Sequence, residues 1–426
     1  MARESVQPQP SANVILDLGK KARKAAFALS QAPDGIVNET LKDIAALLQT
    51  YSGVLLTENQ KDAAEAQKAK LSQSMIDRLT LTPERIAAMG QGILEIRDLP
   101  NPCGQVLEEW TRPNGLRFQK VSVPIGVLGL IYESRPNVTI DASALCLKSR
   151  NAVILRGGSE CIHTNLALHK IVTDALRKNG LQEHCVCMVP DTDRAHVTDM
   201  LAAHGIIDVI VPRGGKGLTS LVMREATMPV FAHLDGNCHV YIHETAKPGL
   251  AMNVVKNAKL RRTGICGAAE SLLLSKSLDA KVATAVVQML LDEGVEIVGD
   301  DAARKLDKRI KPASEEDWST EYLDKKISCK YVLDVKEAVQ HINTYGSHHT
   351  DSIIAEDAKA VEYFLTNVDS AIVMHNTSTQ FADGGEFGFG AEIGIGTGKL
   401  HARGPVGVRQ ITTFKYKVLG TGQVRA

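Results

Sequence analysis

Apolar positions recur at helical spacing through the first hundred residues. Ala22, Ala25, Ala26 and Leu29 fall on one side of a stretch that also carries Lys20, Lys21, Arg23 and Lys24. Leu41, Ile44, Ala45 and Leu48 repeat that spacing. Thr82-Pro83-Glu84 reads as a helix start, with a capping hydroxyl, proline at the first helical position and an acid in the first turn. The pattern changes at 107–123, where Asn114-Gly115 separates two strand-like runs, 107–111 and 116–123. That is the signature of a β-hairpin, because Asn-Gly readily adopts the positive φ of a tight turn. Short apolar runs at 123–131, 152–155, 186–189, 209–211 and 240–242 then alternate with amphipathic windows such as 165–178 and 193–203. This predicts a parallel sheet covered by helices on both faces. A second series has strands expected at 271–274, 331–333, 352–355 and 371–374, and helices at 280–291, 335–343 and 358–366. Glycine becomes dense from 384 to 407, and 408–417 reads as a final strand. No repeat of 20–50 residues is visible.

The 426 residues suggest two or three domains. The 49 basic residues balance the 49 acidic ones, which argues against a protein that neutralises nucleic-acid phosphates or clasps an anionic membrane. Aromatics at 4% leave little for stacking on bases. Residues 1–12 are polar with two prolines and read as a disordered tail, not a signal peptide. The longest apolar run, near 123–132, is half the roughly 20 residues of a membrane span, so a cytoplasmic protein is expected. Its eight cysteines are scattered and expected to be reduced. His184-Cys185-x-Cys187 lacks metal-site spacing and reads as core at a strand entry; no metal site is expected.

Cys266 differs from the other cysteines in its setting, Arg261-Arg262-Thr263-Gly264-Ile265-Cys266-Gly267. Nearby guanidinium groups favour the nucleophilic thiolate, and flanking glycines permit close backbone approach. A buried, inert thiol is the competing reading. Two glycine turns, Arg156-Gly157-Gly158-Ser159 and Arg213-Gly214-Gly215-Lys216, each follow an apolar run and open a helical window. Exposed N–H groups and adjacent cations suit a phosphorylated dinucleotide, although neither turn is the strict dinucleotide fingerprint. Asn137, in Glu133-Ser134-Arg135-Pro136-Asn137, follows a strand and offers an amide to a developing oxyanion; a helix cap is the alternative. The polar cluster Gly346-Ser347-His348-His349-Thr350-Asp351 reads as a strand-entry loop lining a pocket, since triad members are seldom adjacent.

Taken together, residues 123–160, 261–271 (RRTGICGAAES), 341–353 (HINTYGSHHTDSI) and 381–407 closely resemble the γ-glutamyl phosphate reductase family of the aldehyde dehydrogenase superfamily. The resemblance spans nearly the whole chain after the tail. It implies an aldehyde dehydrogenase-like α/β fold: a Rossmann-like cofactor domain (13–105 and 124–235), an α/β catalytic domain (236–403), and a small β oligomerisation hairpin with the C-terminal strand (106–123 and 404–426). It places Cys266 as the catalytic nucleophile and Asn137 in the oxyanion hole. Arg156, Gly157, Gly158, Ser159, Gly214, Gly215 and Glu321 fall to the cofactor, with Glu321 on the nicotinamide ribose. Arg135, Arg261, Arg262 and His349 fall to the substrate. The implied reaction is NADPH-dependent reduction of L-glutamyl 5-phosphate to L-glutamate 5-semialdehyde, the second step of proline biosynthesis from glutamate. A homodimer or homotetramer, and association with glutamate 5-kinase, are implied as well. Oxidative relatives carry a Glu-Leu-Gly-Gly motif whose glutamate activates water; here the stretch is His233-Leu234-Asp235-Gly236-Asn237. Losing that base suits a reductase, which must not hydrolyse its thioester. A CoA-acylating aldehyde dehydrogenase would lack the base too, and a catalytically silent scaffold of the same fold is a third reading.

Overall fold

The computed structural model describes residues 14–425, the Ser74 side chain excepted, so the expected tail at 1–12 lies outside the described residues. The chain forms two compact units: Met1–Phe231 with Phe389–Gly394 and Gly407–Ala426, and Ala232–Gly388 with Ile395–Val406. No described helix is long and apolar enough to cross a membrane.

In the first unit the amphipathic pattern forms helices Val14–Ser30, Asp34–Thr50 and Pro83–Asp98. The first two bury the spaced apolar residues, and Thr82 Oγ1 caps the third by accepting from the Arg85 N–H at 3.2 Å. Four parallel strands lie in the spatial order Val186–Met188, Ala152–Gly157, Val127–Tyr132, Val209–Arg213. In chain order this is 3-2-1-4, so the connection reverses beside Val127–Tyr132. Open α/β sheets bind ligands outside the carboxyl ends at such a switch. Tyr132 is in register with both Gly157 and Arg213, so both glycine turns and the 133–137 segment leave this sheet at that edge.

Strands Val106–Thr111, Arg117–Pro124 and Thr412–Leu419 make a separate antiparallel sheet, with Gly115 at φ +82° in the hairpin turn. The single strand expected at 123–131 is two strands in two sheets. Pro124 ends the first, and Gly126, at φ +135°, redirects the chain into the second. The last strand begins at Thr412, not at 408. Residues 408–411 form a turn whose Ile411 carbonyl accepts from Asn151 Nδ2 at 2.8 Å, and Val408 and Ile411 are buried there as core. That anchorage counts the hairpin sheet with the first unit, where the sequence had set it apart, and residues 232–235, expected with the cofactor domain, belong to the second unit.

The second unit is a seven-stranded parallel sheet in the order Lys311–Pro312, Glu296–Gly299, Lys326–Val332, Ala269–Ser275, Cys238–Ile242, Thr350–Ile354, Ile372–His375. Helices Pro248–Leu260 and Ala280–Asp292 pack one cluster against it; Val335–Tyr345 and Ala358–Asn367 pack another. The sequence reading did not include the first two strands, Lys311–Pro312 and Glu296–Gly299.

Candidate active site

Strand Cys238–Ile242 lies between Ala269–Ser275 and Thr350–Ile354, all parallel. The residues that precede these three strands, Gly236-Asn237, Cys266 and His348-His349, therefore gather at the amino edge of the second sheet. The segments are pinned to one another. Asn237 Nδ2 donates to the Trp318 and Tyr345 carbonyls at 2.9 and 3.0 Å, and Cys238 Sγ donates to the Cys266 carbonyl at 3.1 Å. Gly236 runs so close to this loop that a Cβ would come within 2.7 Å of Cys266 Cα, so only glycine fits.

The Cys266 sulfur and one ring nitrogen each of His233 and His349 lie within 4.8 Å of one another, and the two imidazole rings meet edge to face at 5.1 Å between centroids. The Nδ1 of His233 is 2.9 Å from the Ile395 carbonyl. A carbonyl oxygen only accepts, so Nδ1 carries the hydrogen and Nε2 is left for the sulfur. His349 is fully buried. Its Nδ1 is paired with the Thr350 hydroxyl at 2.8 Å, so its Nε2 is likewise the nitrogen left for the thiol. Burial of Cys266 opposes ionisation. His349, chiefly by its charge, and His233, by hydrogen bonding, outweigh that and hold the thiol well below its ordinary pKa, although His349 Nε2 has no hydrogen-bond partner among the described residues. Burial instead pushes Cys103 up to about 11 and Cys185 and Cys187 to about 12. Cys266 thus differs from those cysteines in the direction of its shift.

The source of the thiolate differs from the sequence reading. Arg261 and Arg262 are exposed; Arg261 donates to Gln380 Oε1 at 3.1 Å, and neither arginine is among the largest influences on the thiol. Gln380 Nε2 in turn donates to the Ala258 and Arg262 carbonyls, fixing this arginine loop. His349, expected on substrate, lies beside Cys266. His233 was passed over; its one signal was that it stands where oxidative relatives carry a catalytic glutamate. Glu321 lies in the same unit, accepting from the Gly236 N–H at 2.9 Å. Burial raises its pKa, and the charge of Cys266 adds to that.

The other expected residues stand at the carboxyl edge of the four-stranded sheet. Asn137 opens helix Asn137–Lys148, exposed, with one Nδ2 hydrogen on Asp141 Oδ2 at 2.9 Å; its second hydrogen remains for a ligand. Burial raises Asp141 to about 6. Arg135 is half-buried two residues earlier. Ser134 donates its N–H and hydroxyl to Glu160 Oε1, which follows Ser159 in the first glycine turn. Arg156 is buried and donates to the Gly157 and Thr192 carbonyls at 3.2 and 3.0 Å, while its Nε and the neighbouring Asn165 Nδ2 have no partner. A Cβ at Gly157 would collide with the Asn165 amide and one at Gly158 with the Glu160 carboxylate. The second turn is less open than its sequence suggests. The Gly215 N–H donates to Glu133 Oε2 at 3.1 Å, and a Cβ on Gly214 would meet the same carboxylate. An anion there must first displace Glu133.

The aldehyde dehydrogenase family profile matches residues 14–307. Gamma-glutamyl phosphate reductase of Rhodopseudomonas palustris (strain BisB5) is 52% identical over 415 residues, 97% of this chain and 96% of that protein. The chain belongs to the γ-glutamyl phosphate reductases of the aldehyde dehydrogenase family. The crystal structure of gamma-glutamyl phosphate reductase from Thermotoga maritima matches with a TM-score of 0.94 at 40% identity, covering 97% of this chain and 100% of that one. An acetylating aldehyde dehydrogenase from Geobacillus thermoglucosidasius matches with a TM-score of 0.70 at 17% identity, over 98% of this chain and 100% of that one, and shares the fold.

Proposed function

We propose that this chain reduces L-glutamyl 5-phosphate to L-glutamate 5-semialdehyde with release of phosphate, in proline biosynthesis from glutamate, through a thioacyl intermediate on Cys266. The observation that carries the reading is a cysteine held as a thiolate between two histidines, in a member of this family. The Cys266 sulfur attacks the acyl carbon, which is activated because phosphate is a good leaving group. The charge gathering on the carbonyl oxygen falls to the Asn137 amide and the Cys266 N–H. The glutamate with which oxidative relatives activate water is absent at position 233, as suits a thioester that is to be reduced and not hydrolysed. When bound, NADPH supplies a hydride. Cys266 then leaves the reduced acyl carbon as a thiolate, for which its low pKa suits it.

The donors near the first glycine turn fit an anionic dinucleotide. Arg156 Nε and Asn165 Nδ2 are buried without partners beside Gly157-Gly158, where Asn165 and Glu160 leave no room for a side chain on either glycine. Arg156, Gly157, Gly158, Ser159, Gly214 and Gly215 would hold NADPH, with Glu321 on its ribose. Arg135, Arg261 and Arg262 would receive the substrate's phosphate and carboxylate. The protein would work in the cytoplasm, as a homodimer or homotetramer joined through the hairpin sheet, in functional association with glutamate 5-kinase.

The reverse reaction tests this. With semialdehyde and NADP+, the protein should form NADPH only when phosphate is present, CoA should not replace phosphate, and Cys266→Ala should abolish the signal. Turnover with CoA alone would move the protein to the acylating class, and near-normal activity of Cys266→Ala would remove the thioacyl route.

A further inference from the structure

Phosphate that leaves an acyl phosphate must acquire a proton to depart as monohydrogen phosphate. A thiolate nucleophile brings none, and reduction by hydride brings none either. Some group at the site has to carry that proton in, and the two imidazoles beside Cys266 are unequal candidates. His349 is fully buried with Nδ1 fixed on Thr350, so it has no route to solvent. His233 is half-exposed, and its Nδ1–H on the Ile395 carbonyl fixes the ring with Nε2 toward the sulfur. In the tetrahedral adduct the sulfur and the departing oxygen are bonded to the same carbon, so a donor aimed at one is within a small swing of the other.

We propose that His233 is the proton carrier of the reaction, while His349 serves only to hold the thiolate. The proposal rests on the function proposed above. In the resting pair His233 is an imidazolium hydrogen-bonded to the Cys266 thiolate. The sulfur lone pair forms the S–C bond, the C–O bond to phosphate breaks with its electron pair, and that oxygen takes the Nε2 proton. Neutral His233 and the thioester remain. After the acyl group is reduced, the C–S pair returns to sulfur, the aldehyde leaves, and His233 takes a proton from water. One proton is consumed per turnover. The groups facing His233 are the Cys266 thiolate and His349, together with Glu321, which interacts electrostatically with it, and Asp235, two residues along and coupled to Glu321. The thiolate and Glu321 favour the imidazolium; His349 opposes it.

The test uses the full chain with His233→Asn, which keeps a donor for the Ile395 carbonyl, and His233→Gln, which keeps one toward the sulfur. Neither can carry a proton. Phosphate-dependent NADP+ reduction by semialdehyde should fall roughly 100-fold or more in both. The acid limb of its pH profile should vanish, because in this direction His233 must be neutral to take the proton from the attacking monohydrogen phosphate. Acylation of Cys266 by a p-nitrophenyl ester, whose leaving group needs no proton, should survive within about a factor of three when compared at the alkaline plateau of iodoacetamide alkylation. If the ester burst falls in step with phosphate-dependent turnover, His233 only positions or ionises the thiol and the proposal is overturned. Unchanged turnover in both variants overturns it too. A wild-type protein without phosphate-dependent turnover, but with a normal ester burst, would defeat the function itself and leave the Cys266–His233 pair standing.

Discussion

At position 266 burial raises the thiol's pKa and two neighbouring imidazoles more than reverse that, and which one matters most can be measured. His349 is the larger electrostatic influence. In His349→Asn the amide can keep the Thr350 bond, but the charge is gone and the burial is not. The midpoint of the alkylation-versus-pH curve of Cys266 should move to higher pH, with slower labelling at neutral pH and an unchanged alkaline plateau. An unmoved midpoint would show that His349 has no part in ionising the thiol. Cys266 stood out in the sequence because the Thr-Gly-Ile-Cys-Gly setting is local. Its partners were not. Residues 233, 266 and 349 meet only because three parallel strands that begin nearby in the chain are neighbours in the sheet, and strand order is invisible to any window of sequence. The adjacent arginines were the local substitute, and Arg261 donates instead to Gln380.

Between helix Pro248–Leu260 and strand Ala269–Ser275 runs the loop that carries Cys266, and a buried ion pair staples its two ends. Lys259 Nζ lies 2.6 Å from Glu270 Oε2, with both side chains wholly excluded from solvent; Glu270 Oε1 also accepts from the Leu323 N–H at 3.2 Å. Burial raises Glu270 to about 7 and lowers Lys259. Removing one member strands the other, so Lys259→Met should cost about 3–5 kcal/mol of stability in denaturant unfolding. The double change Lys259→Met with Glu270→Gln, which preserves the Leu323 bond and leaves no buried charge, should recover most of the loss. If the double variant is as unstable as the single one, the pair acts through packing and not charge. At this scale the sequence was a good guide to where elements lie and a poor one to where they stop. The apolar pattern is the same whether residues 408–411 pair as a strand or pack as a turn, and only the bond from Asn151 decides it.

Over the whole molecule, the hairpin sheet is the feature that a single chain leaves unexplained. Strands Val106–Thr111 and Thr412–Leu419 are exposed along nearly all their length. The pairing register puts Trp110, Phe118 and Val418 in one row across three strands, and alternation adds Phe414 and Tyr416 to the same face. Trp110 stacks on Phe118 at 5.4 Å between centroids, and Lys120 lies over the Phe414 ring. The opposite face carries Glu109, Arg117, Gln119, Lys415 and Lys417 and is suited to water. A contiguous aromatic face on a sheet with two free edges is a surface that another copy of the chain would cover. Trp110→Glu combined with Val418→Glu places charge at the centre of that row without touching the packed core, because both side chains are about 40–50% exposed. Light scattering should show the oligomer of the parent reduced to monomer, while alkylation of Cys266, which reads the second unit alone, stays as in the parent. An unchanged mass would place the subunit contact elsewhere, and a monomeric parent would remove the assembly altogether.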